Sequence, residues 1–354
     1  MPVSCYVSLQ GGLAERVRFA TLALCKVPLW DRPQWTLSRL IVSSRRLALA
    51  AGFGLAFCAP ALCAQADFQV ESDLVVLHVT VTDHQGRVVR DLPMSAFHIY
   101  EDEAPQGTVL FRYEDTPVAV GLVVDNSGSM RRKLPEVVAA TAAFARSSNP
   151  EDQMFVVNFN EHVWLGLPPG EAFVSDPGEL NAAMLQIRAN GKTALYDAVA
   201  SALGHVRQSP LPRKVLIVLS DGGDNASTRR FPEALSLVQK SDVVVYAVGL
   251  IDEYDKDRNP GVLRKLATVS GGEAFFPKEV SDVTNILQAA SRDIRNQYTM
   301  GYVPKNVKHD GMYHSVRVKL TGDQARQWTV RTRPGYFAAP PDLGLTESQK
   351  ARER

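Results

Sequence analysis

Cysteine is missing from most of this 354-residue chain. The only cysteines lie near the amino terminus, so the segment after them can form no disulfide: Cys5, Cys25, Cys58 and Cys63. A large excess of charge is missing too. The net charge of +1 gives no reason to expect nucleic acid or an anionic membrane as a partner. The remaining composition, 45% apolar and 22% charged, is typical of a globular protein.

The first 66 residues have the pattern of an export signal. They carry seven Lys or Arg against two Asp or Glu. Arg45 and Arg46 precede an apolar run over 47–63, and Ala64-Gln65-Ala66 follows it. A basic region, an apolar run and an A-x-A site are typical of a secretory signal peptide. We therefore predict cleavage after Ala66 and a mature protein that is secreted, or periplasmic in the cell envelope, without a membrane span.

Two features of this presequence leave other interpretations open. The apolar run of 17 residues is at the short end for a membrane-spanning helix, so an uncleaved anchor is the alternative to cleavage. The region before Arg45 is much longer than the usual basic region of a signal peptide. We therefore expect translation to start downstream of residue 41, with Val42 as a candidate start.

Two flanking segments, 67–116 and 297–338, have the pattern of β-strands. Leu74–Asp83 alternates apolar and polar residues, and Tyr313–Leu320 has the same period of two. The first flank has only about 50 residues, which is too few for an independent core. We therefore predict that the flanks pair in one small antiparallel β subdomain. The tail, 339–354, is rich in proline and then in charge, and is predicted to be disordered.

Between the flanks, residues 117–296 alternate between strand and helix patterns. Three segments are almost wholly apolar, as in strands buried on both faces: Val118–Val124, Lys214–Leu219 and Val243–Val248. Helical patterns separate them, and this alternation predicts a parallel sheet with helices on both faces. The predicted fold class is therefore α/β, with a doubly wound, mostly parallel sheet and the small antiparallel β subdomain beside it.

The stretch from Val118 to Met130 carries the candidate chemistry. Its strand ends in Asp125-Asn126-Ser127-Gly128-Ser129, so a carboxylate and two hydroxyls lie at the carboxyl end of a central strand. Open α/β sheets bind their ligands at that edge. Oxygen side chains at alternate positions can converge on a hard cation such as Mg²⁺, Mn²⁺ or Ca²⁺. The alternative is an ordinary polar loop whose side chains cap the helix that follows.

The Asp-x-Ser-x-Ser pattern resembles the metal-ion-dependent adhesion site (MIDAS) of von Willebrand factor type A (VWFA) domains, which have a Rossmann-like fold. Such a site also needs a Thr and a second Asp from later loops. Thr193 opens a predicted helix and Asp221 lies just after a predicted strand, in the required order. The resemblance implies a metal held by five residues, the two carboxylates often through water: Asp125, Ser127, Ser129, Thr193 and Asp221.

The flanks resemble those of bacterial exported proteins called VWFA-related domain proteins. The resemblance covers residues 70–338 and supports the architecture and export more than a particular role. Among the matching residues are Asp83, Gly86, Phe97, Tyr100-Glu101-Asp102, Gln297-Tyr298 and Arg333-Pro334-Gly335-Tyr336.

The resemblance further implies that an Asp or Glu of a partner protein completes the coordination of the metal. We therefore predict a non-catalytic, cation-dependent protein-binding module of the adhesion type. Two alternatives stay open: an envelope scaffold or assembly factor with a structural metal, and a metal-assisted hydrolase. The hydrolase is disfavoured because no general base is evident beside the motif and no G-x-S-x-G sequence precedes a helix.

Other polar groups in the sequence are weaker candidates. Residues 255–259 are similar to the start of an EF-hand loop, but the glycine falls one place late, at Gly261, and Leu266 occupies the position of the bidentate Glu. The histidines show no metal-ligand spacing and are predicted to be packing or surface residues. Asp224 and Asn225 are interpreted as part of a solvated loop, with support of the metal site as the alternative.

Overall fold

The structure, a computed structural model, describes residues 74–113, 115–185, 188–252, 257–305, 309–322 and 325–339. All of them belong to one unit, Phe68–Arg354. The predicted presequence 1–66 and residues 340–354 of the predicted tail lie outside the described residues, so both stay predictions. Within the described part, each helix is too short or too polar to cross a lipid bilayer.

The strands and helices of the described residues follow the predicted order. The strands are β1 (Val75–Asp83), β2 (Phe97–Glu101), β3 (Ala104–Gln106), β4 (Thr108–Arg112), β5 (Val118–Asp125), β6 (Gln153–Phe159), β7 (Val163–Leu165), β8 (Arg213–Ser220), β9 (Val244–Gly249), β10 (Ala274–Phe275), β11 (Tyr298–Tyr302), β12 (Tyr313–Leu320), β13 (Trp328–Arg331) and β14 (Gly335–Phe337). The helices are α1 (Leu134–Arg146), α2 (Pro177–Leu185), α3 (Leu195–Val206), α4 (Phe231–Gln239), α5 (Pro260–Ser270) and α6 (Val283–Arg295).

Strand β5 is the centre of a sheet with the order β10-β9-β8-β5-β6-β7. Neighbouring strands run parallel except for the edge pair β6 and β7. The helices form two contacting groups, α1 with α2 and α6, and α3 and α5 with α4. All eight residues of β5 are buried, as its apolar sequence predicts for a strand covered on both faces. The predicted α/β fold class is therefore confirmed.

Sequence periodicity misses three short strands. Strands β3, β7 and β14 have three residues each, and three residues are too few to show a period of two. Helix α2 begins at Pro177 and is described to Leu185. A 3-10 turn over Val280–Asp282 precedes α6, which starts at Val283.

The two flanks pair with each other and form two antiparallel sheets. One has the order β13-β1-β11-β4, and the other has the order β14-β12-β2-β3. Strand β1 of the first flank lies between β11 and β13 of the second, and β2 pairs with β12. Each flank thus contributes only part of a shared core. Alternate residues of β1 are buried in it: Val75, Leu77, Val79 and Val81.

A polar group connects β2, β12 and β11. His314 Nδ1 lies 2.8 Å from Asp102 Oδ2, and His314 Nε2 lies 3.3 Å from Asp310 Oδ1. Beside them, the buried Glu101 accepts a hydrogen bond of 2.5 Å from the Tyr302 hydroxyl. Because these side chains satisfy one another, we interpret the group as a structural contact between the two flanks.

We expect the His314 contact to weaken as the pH rises. Burial lowers the pKa of His314, but its hydrogen bonds to Asp102 and Asp310 outweigh burial and raise the pKa above the ordinary 6.5. A histidine whose pKa is raised by folding stabilises the protein fully below the unfolded pKa. That contribution is lost as the pH rises through the folded pKa. Urea unfolding should therefore give a smaller free energy at about pH 9 than at about pH 6.

A variant separates this contribution from those of other titrating groups. His314→Gln keeps a polar side chain but cannot become charged, so its unfolding free energy should fall less over the same pH range. The control is His84→Gln, at an exposed residue of the turn after β1. An identical pH dependence in His314→Gln and the unaltered protein would contradict the assignment.

Candidate metal centre

The loop after β5 is fixed by backbone hydrogen bonds to two other segments. Asn126 N donates to Phe159 O at 2.7 Å, and Asn190 N donates to Asn126 O at 2.9 Å. Gly128 N also donates to Gly191 O at 3.1 Å. The backbone therefore connects the Asp-x-Ser-x-Ser loop to the end of β6 and to the loop before α3.

Four of the five predicted ligand residues line one small cavity after β5 and β8. The cavity has a volume of about 140 Å³, and its lining includes Ser127, Ser129, Thr193 and Asp221. Ser129 Oγ lies 3.1 Å from Ser127 Oγ and donates to Asp221 Oδ2 at 2.5 Å. Of these four residues only Ser129 is exposed, so the group is open to solvent on the side of Ser129.

The fifth residue, Asp125, is fully buried beside this group. Its Oδ1 atom accepts the Ser127 N–H at 2.9 Å, and its Oδ2 atom accepts the Ser220 hydroxyl at 2.6 Å. Burial, and then the charge of Asp221, raise the pKa of Asp125 to about 7. Two carboxylates in a poorly solvated site repel each other, and a nearby cation relieves that repulsion.

The hydroxyls of this loop do not cap a helix. Ser127 precedes the 3-10 turn Gly128–Met130 and Lys133 precedes α1, yet neither side chain makes a capping hydrogen bond. The serine hydroxyls instead contact each other and Asp221. This geometry disfavours the alternative of an ordinary capping loop.

The position of Thr193 depends on Gly191 and Glu161. Gly191 has φ of +79°, a conformation that favours glycine, and a Cβ atom there would lie 1.7 Å from Glu161 Oε2, so a larger residue would displace the Glu161 carboxylate. The same carboxylate oxygen accepts the Lys192 N–H at 2.8 Å. Glu161 therefore holds the residues that immediately precede Thr193.

The sequence did not indicate Ser220 and Glu161, and it favoured a solvated loop for Asn225. Asn225 lines the cavity, and its Oδ1 atom accepts the Thr193 N–H at 2.9 Å. The strand register could have indicated Ser220: Val124 on β5 pairs with Leu219 on β8, which makes Asp125 and Ser220 neighbours. Asp224 instead accepts hydrogen bonds from residues outside the predicted ligand set, the Tyr196 N–H and the Ser227 hydroxyl.

The chemistry of this donor set fits a hard divalent cation. The described residues of the cavity offer hydroxyl, carboxylate, amide and backbone oxygens, and no imidazole or thiolate is among them. Such oxygens suit Mg²⁺, Mn²⁺ or Ca²⁺ better than zinc. They come from segments far apart in the sequence and meet at the edge where open α/β sheets bind ligands.

Several solved structures are similar to the chain at low sequence identity. A von Willebrand factor type A protein from Catenulispora acidiphila is 16% identical with a TM-score of 0.47, covering 79% of this chain and 77% of its own. The vWF domain of the type V pili tip protein Mfa5 from Porphyromonas gingivalis is 14% identical with a TM-score of 0.43, covering 51% and 97%. Proximal thread matrix protein 1 from the mussel byssus, with a zinc-occupied MIDAS motif, is 19% identical with a TM-score of 0.42, covering 52% and 49%.

The match to a protein family is confined to part of the α/β region. A search of curated protein sequences finds no significant match. Residues 120–223, however, match the sequence model of the von Willebrand factor type A domain, and this range contains all five predicted ligand residues. The chain therefore contains a von Willebrand factor type A domain.

Proposed function

We propose that this protein is an exported, divalent-cation-dependent protein-binding module of the adhesion type. Its metal, Mg²⁺ with Mn²⁺ or Ca²⁺ as alternatives, would be held by Asp125, Ser127, Ser129, Thr193 and Asp221. The observation that carries the proposal is the shared cavity of four of these side chains, open to solvent at Ser129. A bound cation supplies a coordination position that an Asp or Glu of a partner protein can fill.

The residues around the cavity favour an acidic partner. Ser127, Ser129 and Thr193 would bind the cation through neutral hydroxyl oxygens, so they do not reduce its charge. Arg131 and Arg132 follow the motif directly and are exposed. Positive charge so close to the motif in sequence favours attraction of a carboxylate-bearing surface.

We propose binding rather than catalysis because each carboxylate that lines the cavity already accepts a hydrogen bond from the protein. Asp221 Oδ1 accepts the Gly223 N–H at 3.0 Å, and its Oδ2 atom accepts the Ser129 hydroxyl. Asp257 accepts a hydrogen bond of 2.9 Å from the Asn225 amide. These hydrogen bonds fix the carboxylates at the cavity wall, as is usual for carboxylates that bind a metal. Export is proposed from the signal pattern of residues 1–66.

Cation-dependent capture tests this function. The immobilised protein is exposed to the native envelope fraction in Mg²⁺ and then eluted with EDTA. We expect proteins that elute with EDTA from the unaltered chain and are absent with Thr193→Ala. The matched control is Thr268→Ala, an exposed threonine on α5, which should capture as the unaltered chain does.

The captured protein then allows a direct test of the acidic ligand. Replacing one Asp or Glu of that partner by Asn or Gln should abolish the EDTA-sensitive binding. Capture that persists in EDTA and in Thr193→Ala would overturn the proposal and favour the scaffold alternative. Hydrolysis of a substrate by the unaltered protein, lost in Thr193→Ala, would favour the hydrolase.

A further inference from the structure

A second cavity lies between the antiparallel sheet that contains β1 and the amino-terminal edge of the central sheet, and it has a volume of about 240 Å³. One wall is the outer face of the sheet that contains β1. His78 on β1 pairs with Thr299 on β11, which pairs in turn with Arg112 on β4, and all three line the cavity. The next row of the same face contributes Val76 and Leu110.

The opposite wall consists of residues at the beginning of β8 and β9. Pro212 and Arg213 come from the start of β8, and Asp242 and Val244 come from the start of β9. Parallel strands begin at the edge opposite to the one where they end. This cavity is therefore distinct from the candidate metal centre, which lies beyond the carboxyl ends of β5 and β8.

Positive charge dominates the lining of this second cavity. Arg112, Arg213 and Arg333 all contribute to it, whereas the described lining includes a single carboxylate, Asp242. The Asp242 side chain pairs with Arg333 at 2.7 Å but is 85% exposed, so solvent screens its charge. Arg213 is only 3% exposed.

Arg213 has no carboxylate in hydrogen-bond contact within the described residues. Its guanidinium donates to the Ile294 carbonyl, to Gln297 Oε1 at 3.0 Å and to Thr116 Oγ1 at 3.3 Å. These acceptors are neutral. The carboxylates whose charge acts on Arg213, Asp115 and Asp152, are both already paired with Arg295. A buried cation with no carboxylate of its own is costly. An anion in the cavity would supply that counter-charge.

Two further buried nitrogens of the lining have no hydrogen-bond partner within the described residues. They are Nδ1 of His78 and Nε of Arg333. Burial and the nearby Arg213 and Arg333 lower the pKa of His78 to about 3, so its ring is neutral at physiological pH. A neutral imidazole keeps one N–H to donate, and a carboxylate oxygen is a suitable acceptor.

We propose that this cavity binds a small organic anion, a monocarboxylate with a short apolar chain. The carboxylate would accept hydrogen bonds from the arginine and histidine nitrogens, and the chain would contact Val76, Leu110 and Val244. The volume is below the roughly 300–1,000 Å³ of drug-sized pockets, which favours a ligand of few atoms. Both a free acid and the carboxyl terminus of a peptide have this chemistry.

Calorimetric titration of the full-length chain with hexanoate tests the proposal. We expect saturable binding of one hexanoate per chain and no saturable binding of hexylamine, which has the same chain but the opposite charge. N-acetylleucine represents a peptide carboxyl terminus. Tighter binding of N-acetylleucine than of hexanoate would identify a peptide as the source of the ligand, and the reverse order would identify a free acid. Inorganic phosphate should bind more weakly than hexanoate because it has no apolar part.

Two variants locate the binding in this cavity. Arg112→Gln, at an exposed residue, should weaken hexanoate by about tenfold, and the matched control Arg146→Gln on α1 should not. Thr299→Phe places a ring in the cavity and should abolish binding, while circular dichroism should show that the protein remains folded.

Equal binding of phosphate or hexylamine, or unchanged hexanoate affinity in Arg112→Gln and Thr299→Phe, would overturn the proposal. In Asp125→Asn, at the candidate metal centre, hexanoate affinity should be unchanged, and a loss there would overturn the assignment to this cavity.

Discussion

Asp125→Asn should stabilise the metal-free protein and, at the same time, remove its stabilisation by Mg²⁺. Asp125 is fully buried and close to Asp221, and these two causes raise its pKa from 3.8 to about 7. A carboxyl group with a raised folded pKa destabilises the protein increasingly as the pH rises from the unfolded value through the folded value. At about pH 8 the unaltered protein carries this full cost, and asparagine removes it.

The asparagine fits the surroundings of the aspartate. Its oxygen can accept the Ser127 N–H in place of Oδ1, and its amide can donate to the Ser220 hydroxyl oxygen in place of Oδ2. The variant should therefore fold. It lacks one of the two carboxylate charges, and we expect its Mg²⁺ affinity to fall by at least about 100-fold, since loss of even an outer-shell partner costs 10- to 100-fold.

Thermal unfolding in EDTA and in Mg²⁺ measures both effects in one experiment. In EDTA the variant should have the higher midpoint temperature, and in Mg²⁺ the order should reverse, because a ligand of the folded state stabilises it. Asp282→Asn, at an exposed residue before α6, is the matched control and should follow the unaltered protein. If Mg²⁺ stabilises the variant as much as the unaltered protein, Asp125 is not part of the metal site.

The central sheet could be predicted from the sequence because three of its strands are almost wholly apolar. Val118–Val124 has no polar side, so both of its faces had to be covered, and β5 is buried throughout. The pairing of the flanks could also be predicted, since β1 has an apolar face but its flank is too small for a core. Short strands such as β7 lack enough residues for a pattern, and only their pairing in the structure reveals them.

The candidate ligand residues could be proposed from the sequence, but the contacts that support them could not. Asp125, Ser127 and Ser129 share one motif, and the family resemblance extends this to Thr193 and Asp221. Glu161 and Asn225 act through single hydrogen bonds to the backbone around Thr193, and such bonds depend on loop geometry. The arginine-lined cavity is still harder to anticipate, because its walls come from both flanks and the start of two central strands.

Gly222→Ala should destabilise both the fold and the metal centre, because residue 222 lies where the loop after β8 contacts the start of α5. Gly222 has φ of +83°, a conformation that costs an L-residue about 1 kcal/mol or more. A Cβ atom there would lie 2.3 Å from the Asn259 carbonyl oxygen and 2.9 Å from its carbonyl carbon. These are backbone atoms, and Asn259 N also donates to Asp221 O at 3.2 Å, so the clash cannot be relieved by a side-chain rotation.

The strain and the clash can be separated with a second glycine. Gly170 has φ of +95° but nothing within 4 Å of its Cβ position, so Gly170→Ala carries the strain alone and should cost about 1 kcal/mol of unfolding free energy. Gly222→Ala should cost about 3 kcal/mol. Because the clash moves Asp221, Mg²⁺ affinity should also fall by about tenfold or more in Gly222→Ala, and stay unchanged in Gly170→Ala. Equal losses of stability in the two variants, measured by urea unfolding in EDTA, would show that the loop after β8 moves freely away from α5. Asp221 would then not be held in the position that the metal site requires.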